Sequence, residues 1–425
     1  MKGLEGKMSF VTVGNIRIFA LVLAVAAVLA PIQARAETRD APQYSGSITF
    51  SPDGVLFVGD NIGGAVFAYE TDPNKADPRD KEVKPFEIDQ IDSAIARAIE
   101  AKANELQVND MAVHPITHEV YISVSKLNGG KVTPAVVKVS ATGSITTVDL
   151  NAKDRTEYKI KDAPTPDQHF IQRAWMVPNA EKYHEKAETP MRSMTIVDMK
   201  FHRGELYIAG ISNEEFASTL RKVPYPFKGE VSTTHIKIYH TSHAQYETRA
   251  PIRAMTFADV DGKDTLVAAY TCSPVVLIPV DQLKDGAKIE GRVVGDMGNG
   301  QPISMVNIKY DGMPMIFVTN GGHSPRYLPV SDLQNAKVYN AENSPHHMQI
   351  DMSPPYPLGA VGKAVMFWGA SMRADLLNEK FLISLTRDTQ SGDLNLEALP
   401  IFPIPIKLDQ VWSEYDFKGV KQPGG

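Results

Sequence analysis

A chain of 425 residues with 43% hydrophobic and 22% charged residues, 30 Gly and 29 Pro has the composition of a folded globular protein, and it excludes a disordered, collagen-like or disulfide-stapled chain. A formal charge of −6 excludes the basic surface that a nucleic-acid binder needs to neutralise phosphates. The single cysteine, Cys272, rules out an intramolecular disulfide, so the core alone must hold the fold.

Residues 1–36 carry the pattern of a secretory signal. Lys2, Lys7 and Arg17 precede the apolar run Ile18–Ala30, and Ala34-Arg35-Ala36 places small residues before a cleavage site. The run is shorter than the roughly 20 residues a membrane span needs. The expectation is a cleaved signal, delivery to a bacterial periplasm, no membrane span afterwards, and one domain over 37–425. Removal of four basic residues and one acid takes the net charge from −6 to −9.

Five segments then share one pattern, an apolar-alternating strand, a polar turn and a second apolar strand. They begin at Gly46, Asp110, Asp198, Ala254 and Ser304. Their turns include Asp53-Gly54, Arg203-Gly204, Asp261-Gly262 and Asp311-Gly312, residue pairs that tolerate positive φ in tight hairpins. Further strand pairs follow most of them, such as Ala135–Val139 with Ser144–Val148 and His235–Tyr239 with Tyr246–Thr248. Recurring four-stranded antiparallel units predict an all-β chain forming a single β-propeller. Fainter candidates at Ala364–Ser371 and Phe381–Leu385, with Ile401–Ile406 as a closing strand, bring the expected count to six or seven blades, seven suiting the length of 37–425 better. Two interruptions are expected. Residues 91–106 are Ala-rich and helix-forming. Residues 151–193 are a long polar loop insertion, either a lid or disordered.

The motifs Val108-Asn109-Asp110-Met111-Ala112-Val113, Ser212-Asn213-Glu214-Glu215-Phe216, Tyr246–Arg253 and Ala268-Ala269-Tyr270-Thr271-Cys272 resemble those of a group of exported bacterial β-propellers. The resemblance implies the fold and the export, and carries no activity with it. A looser architectural likeness runs to NHL-type and lactonase-type propellers, which does not transfer function.

Propeller topology sorts the candidate site residues by face. Residues before each inner strand and after each second strand fall on one rim, placing Asp60, Asn61, Asn109, Asp110, Asp198, Asn213, Glu214, Arg253, Cys272, Asn320 and His323 around a central funnel. His114, His118 and His202 are expected on the opposite face. His240-x-x-His243 has metal-ligand spacing, but the same logic, with His235–Tyr239 taken as a third strand, puts it on that opposite face too. Two constellations remain. The oxygen-rich set (Asp60, Asn61, Asn109, Asp110, Asp198, Asn213, Asn320) suits a hard cation such as Ca²⁺, and capping of strand-end backbone explains the same residues. The softer set of Cys272 and His323, with His346 and His347, suits Cu or Zn.

The reading is a periplasmic propeller that binds a metal ion or small ligand in its funnel, with a metal-dependent oxidoreductase placed ahead of the other possibilities. Asp198 and Arg253 take the catalytic positions, Asn213 and Asn320 hold the cofactor or ligand, and Cys272, His323, His346 and His347 hold the metal. A Ca²⁺-assisted hydrolase of lactonase type and a non-catalytic interaction scaffold are the alternatives. The expected partners are a small-molecule substrate and a periplasmic electron-transfer protein.

Overall fold

The computed structural model describes residues 41–71, 83–171, 188–298, 300–344, 356–365 and 371–401. The expected signal at 1–36, His346, His347 and all but the first residue of the expected closing strand lie outside them. No helix among the described residues is long and apolar enough to cross a membrane.

All five sequence hairpins form, with a sixth from Ser371–Asn378 and Phe381–Arg387. Tight two-residue turns make several of them. Arg203 and Gly204 (φ 50° and 86°), Asp261 and Gly262 (56° and 72°), and Asp311 and Gly312 (47° and 75°) each put both turn residues in the left-handed region. That geometry matches the twist of the flanking strands. Each hairpin extends into a sheet of at least four strands, giving six blades among the described residues and not the favoured seven. We number them I–VI by the chain order of their inner strands, Ile48–Phe50, Leu106–Val113, Asp198–His202, Ile252–Val260, Pro302–Tyr310 and Ser371–Asn378.

The missing seventh blade has a topological cause. Two segments that look unattached in sequence serve as outer strands of blades already counted. Thr156–Lys159, inside the expected loop insertion, pairs with Ala65–Glu70 as the fourth strand of blade I. Glu87–Ile88 pairs with Leu394–Pro400 as the fourth strand of blade VI, the closing role assigned from sequence to Ile401–Ile406. The Ala-rich segment is helical, as expected, over Ile91–Ala98. Its Ile91 and Ile95 are fully buried between blades II and VI.

The ring does not follow chain order. Six apolar clusters join neighbouring blades: Leu56, Phe67 and Val136 join I to II, and Phe57 and Met199 join I to III. Tyr207 and Leu266 join III to IV, Val267 and Ile316 join IV to V, and Phe317 and Leu382 join V to VI. Ile122 and Leu385 join VI back to II. The circuit is therefore I–III–IV–V–VI–II, with blades I and II exchanged relative to the sequence.

Near the axis, three inner-strand aspartates staple blade to blade. In each, Oδ1 accepts the N–H of the next residue and Oδ2 accepts an N–H from the adjacent blade's inner strand. The pairs are Asp110 to Met111 and Ile48 (2.8 and 2.9 Å), Asp198 to Met199 and Met255 (2.9 and 2.8 Å), and Asp375 to Leu376 and Val113 (both 2.8 Å).

Candidate functional site

Blade III corrects the sequence reading of the histidines. Its strands are Asp198–His202, Glu205–Ile211, Ser218–Pro224 and Ser232–His240. Ser218–Pro224 was not recognised from sequence, so His235–Tyr239 was counted third when it is part of the fourth. One missed strand reverses the face. His240 therefore ends its strand on the rim that carries Cys272, not on the opposite face.

After His240 the chain makes a 3-10 turn, Thr241–His243, and passes through Ala244 in the left-handed region (φ 49°). It then returns along Gln245–Glu247, paired with the end of the fourth strand. Blade IV anchors the turn. The hydroxyls of Thr241 and Ser242 donate to Oδ2 of Asp296, the Ser242 bond being 2.7 Å, and Gly298 N–H donates to Oδ1 at 2.8 Å. Burial pushes the Asp296 carboxyl upward, and these donors offset part of that shift.

Glu247 faces both imidazoles. Its Oε1 lies 2.8 Å from His243 Nδ1 and its Oε2 lies 2.9 Å from His240 Nδ1. Burial pushes the Glu247 carboxyl up, but the two histidines overcome this and hold it far below the usual range, so it is ionised. An ionised carboxylate only accepts, so His243 Nδ1 carries the proton and Nε2 presents its lone pair. His240 is 2% exposed, and neither of its ring nitrogens makes a hydrogen bond of good geometry among the described residues: Nδ1 meets Glu247 as an ion-pair contact, and Nε2 meets no acceptor or donor. Burial lowers the His240 pKa, and Cys272 and Glu247 together outweigh that and raise it.

Cys272 completes the group. It lies in the connection between Lys263–Tyr270 and Pro274–Pro279 with φ 62°, followed by Ser273 at 70°. Two successive non-glycine residues in this region are strained, a feature that clusters at functional sites. Blade V and its approach hold the loop in place. Cys272 N–H donates to Gly300 O at 2.9 Å, and Asn320 Nδ2 donates to Ser273 Oγ at 3.0 Å. Cys272 Sγ lies 4.0 Å from His243 Nε2, and one ligand atom each from His240, His243 and Cys272 fall within 4.8 Å of one another. Among the described residues this is the one group of three or more His, Cys, Asp or Glu able to hold a metal ion.

The other sequence candidates sit elsewhere or are committed to structure. His323 is outside the group; its Nδ1 contacts Ser324 O at 2.9 Å and its Nε2 is buried without a hydrogen bond. Asn320 is 3% exposed, and its Oδ1 accepts from Gln301 and Gly322 N–H. Asn213 is exposed, with its backbone N–H on Asp162 O. Asp198 is a blade staple whose carboxyl burial pushes up to about 6, Lys200 and Arg373 opposing the shift. The oxygen-rich set is largely spent on backbone. Asp60 accepts from Gln43 and Gly63 N–H, Asp110 from Ile48 and Met111 N–H, and Asn109 Nδ2 donates to Ser45 O. Arg253 lines the axial funnel.

No protein-family model matches the chain, and no curated protein matches it. Solved structures similar to it include a glucose dehydrogenase at 11% identity, covering 86% of this chain and 98% of that one, with a TM-score of 0.33. The native Bacillus subtilis arabinanase Arb43A is 12% identical over 66% of this chain and 90% of its own, with a TM-score of 0.32. Kuenenia stuttgartiensis hydrazine synthase is 12% identical over 87% and 99%, with a TM-score of 0.28. Likenesses this distant carry no argument about chemistry.

Proposed function

We propose that this β-propeller is a copper-binding protein with a one-electron redox role, its ion held by Nε2 of His240 and His243 and Sγ of Cys272. The carrying observation is the Glu247 carboxylate set against both Nδ1 atoms. A carboxylate behind two metal-ligating imidazoles fixes their tautomer and raises their basicity, the usual support of a histidine metal site. Two imidazoles and a thiolate are a soft donor set that favours copper over a hard cation. With bonds of about 2.0 Å to nitrogen and about 2.3 Å to sulfur, the donors need only draw together slightly around an ion. The expected signal over 1–36 places such a protein in the periplasm, where a small electron carrier is the natural partner.

Elemental analysis of exported protein, purified without chelator, tests the reading. The expected result is near one equivalent of copper, lost in Cys272→Ser and in His243→Ala, with a change in visible absorption on oxidation and reduction. Zinc in place of copper would replace the redox role with a Lewis-acid one. Calcium alone, or no metal, overturns the site.

A further inference from the structure

His240, His243 and Cys272 come from two blades, yet all three are tied to the end of one strand. Arg292–Asp296 runs in blade IV beside Pro274–Pro279, with Asp296 directly opposite Pro274. Pro274 lies two residues after Cys272. The residue after Asp296, Met297, donates its N–H to Ser273 O at 3.0 Å. The backbone at Asp296 therefore fixes the Cys272 loop, while its side chain reaches across to the histidines of blade III.

Thr241 and Ser242 are the two residues between His240 and His243, and both donate their hydroxyls to Asp296 Oδ2. Gly298 N–H occupies Oδ1 at 2.8 Å. Asp296 is 0% exposed, and no lysine or arginine pairs with it among the described residues. Thr241 and Ser242 are buried as completely. Burying a carboxylate is costly, and well-packed apolar groups in place of a buried polar set are often as stable. What the carboxylate adds over an apolar filler is direction, since it holds both hydroxyls of the turn at one oxygen.

The segments held in this way do not keep their shape unaided. Ala244, Cys272 and Ser273 have φ of 49°, 62° and 70°, left-handed values for residues that carry a Cβ. Such residues persist only where the surrounding contacts over-determine them. Asp296 and Met297 supply those contacts on both sides of the ligand group, to the histidine turn and to the cysteine loop.

We infer that Asp296 is a positioning residue for the copper site proposed above, on which the inference rests: it holds the His240–His243 turn and the Cys272 loop on one frame, so that the donors keep their spacing with or without an ion. Such a frame gives Cu(I) and Cu(II) the same three ligands in the same places. A donor set released from it adapts to each ion separately. Release of the frame therefore changes the visible spectrum and the reduction potential of the bound copper, which loss of a group serving only blade packing does not.

The test compares the wild type with Asp296→Asn, with Thr241→Val/Ser242→Ala, and with the three changes combined. The amide of Asp296→Asn has one accepting oxygen, so it cannot serve the hydroxyls and Gly298 N–H together. The double variant removes both hydroxyls and leaves Asp296 in place. Copper affinity, the visible spectrum of the Cu(II) form and the reduction potential are read, with the melting temperature of the metal-free protein as the folding control. Each folded variant is expected to bind copper at least about tenfold more weakly than the wild type, with a shifted visible band and potential. The combined variant is expected to lose no more than the weaker-binding of the other two. Thr241→Ser, which keeps the hydroxyl, is expected to match the wild type. Wild-type affinity and spectrum in folded Asp296→Asn or Thr241→Val/Ser242→Ala overturn the inference and leave the copper reading intact, as do losses that simply multiply in the combined variant. Failure of both to fold makes Asp296 a structural group of the blade interface and overturns it too. A wild type that takes up no copper overturns both the inference and the copper reading.

Discussion

Replacement of Glu247 by Gln isolates the support behind the metal ligands. The carboxylate is hydrogen-bonded to His243 Nδ1 at 2.8 Å and lies 2.9 Å from His240 Nδ1 in an ion-pair contact that a small rotation turns into a second hydrogen bond. A carboxamide has one accepting oxygen and one donating NH₂. If the oxygen keeps one Nδ1–H, the NH₂ faces the other Nδ1, which must then accept. That imidazole carries its proton on Nε2, the atom turned to the metal, so one ligand of three is blocked until the ring or the amide rearranges. Loss of such support costs about 10–100-fold in metal affinity, or about 1.4–2.7 kcal/mol. Copper(I) affinity is read by competition with bicinchoninate, with the melting temperature of the metal-free variant as the folding control. Glu247→Gln is expected to bind at least tenfold more weakly than the wild type and no better than Glu247→Ala. Wild-type affinity in a folded Glu247→Gln variant would refute the tautomer argument and leave Glu247 a mere ion-pair partner of two histidines.

Cys272→Gly should stabilise the metal-free protein by about 1 kcal/mol, because glycine removes the left-handed strain that a side chain imposes at φ 62°; urea denaturation measures the gain, and the same variant should lose copper. Asp198 has a folded pKa of about 6, above its unfolded value, so the native state binds its proton more tightly. Its stabilising contribution is fully present below about pH 4 and is lost as pH rises through about 6, a change of about 3 kcal/mol. Measured against Asp198→Asn, which does not titrate, the wild type should lose about 3 kcal/mol of stability over that window in urea denaturation; a constant difference refutes it. Arg221 is fully buried and held bidentate by Asp162 at 2.8 and 2.9 Å. Asp162→Ala should destabilise the fold by about 3 kcal/mol, since it strands a buried charge, and an unchanged denaturation midpoint would contradict this.

The inner hairpins were legible because every element of the signal is local: alternating apolar residues, and turn pairs such as Asp261-Gly262 whose chemistry demands positive φ. Blade VI was faint because its inner hairpin turns through Glu379-Lys380, with no such marker. The outer strands were hidden for a different reason. Glu87–Ile88 and Thr156–Lys159 are short, and each pairs with a strand far away in sequence, so nothing beside them announces their place. Ser218–Pro224 carries the adjacent charges Arg221 and Lys222, which break the apolar alternation that marks the other strands, although Arg221 is buried against Asp162. That single omission decided the face of His240 and His243. Cys272 was singled out from sequence by its solitude, whereas its partners required the parity of the strands to be right. The signal that could have found them was Glu247, seven residues after His240 and four after His243, beyond a turn short enough to fold it back.

The exchanged order of blades I and II also governs how the ring can be assembled from a chain that emerges from its N-terminus. Blade I appears first with only three strands, and Ala65–Glu70 remains an unpaired edge until Thr156–Lys159 arrives, after all of blade II. Glu87–Ile88 waits longer still, since its partner is Leu394–Pro400 near the end of the described chain. An open edge is a template for pairing with another chain. The growing chain therefore carries the Ala65–Glu70 edge open until all of blade II is made, and its yield should depend on a holding chaperone that covers extended edges.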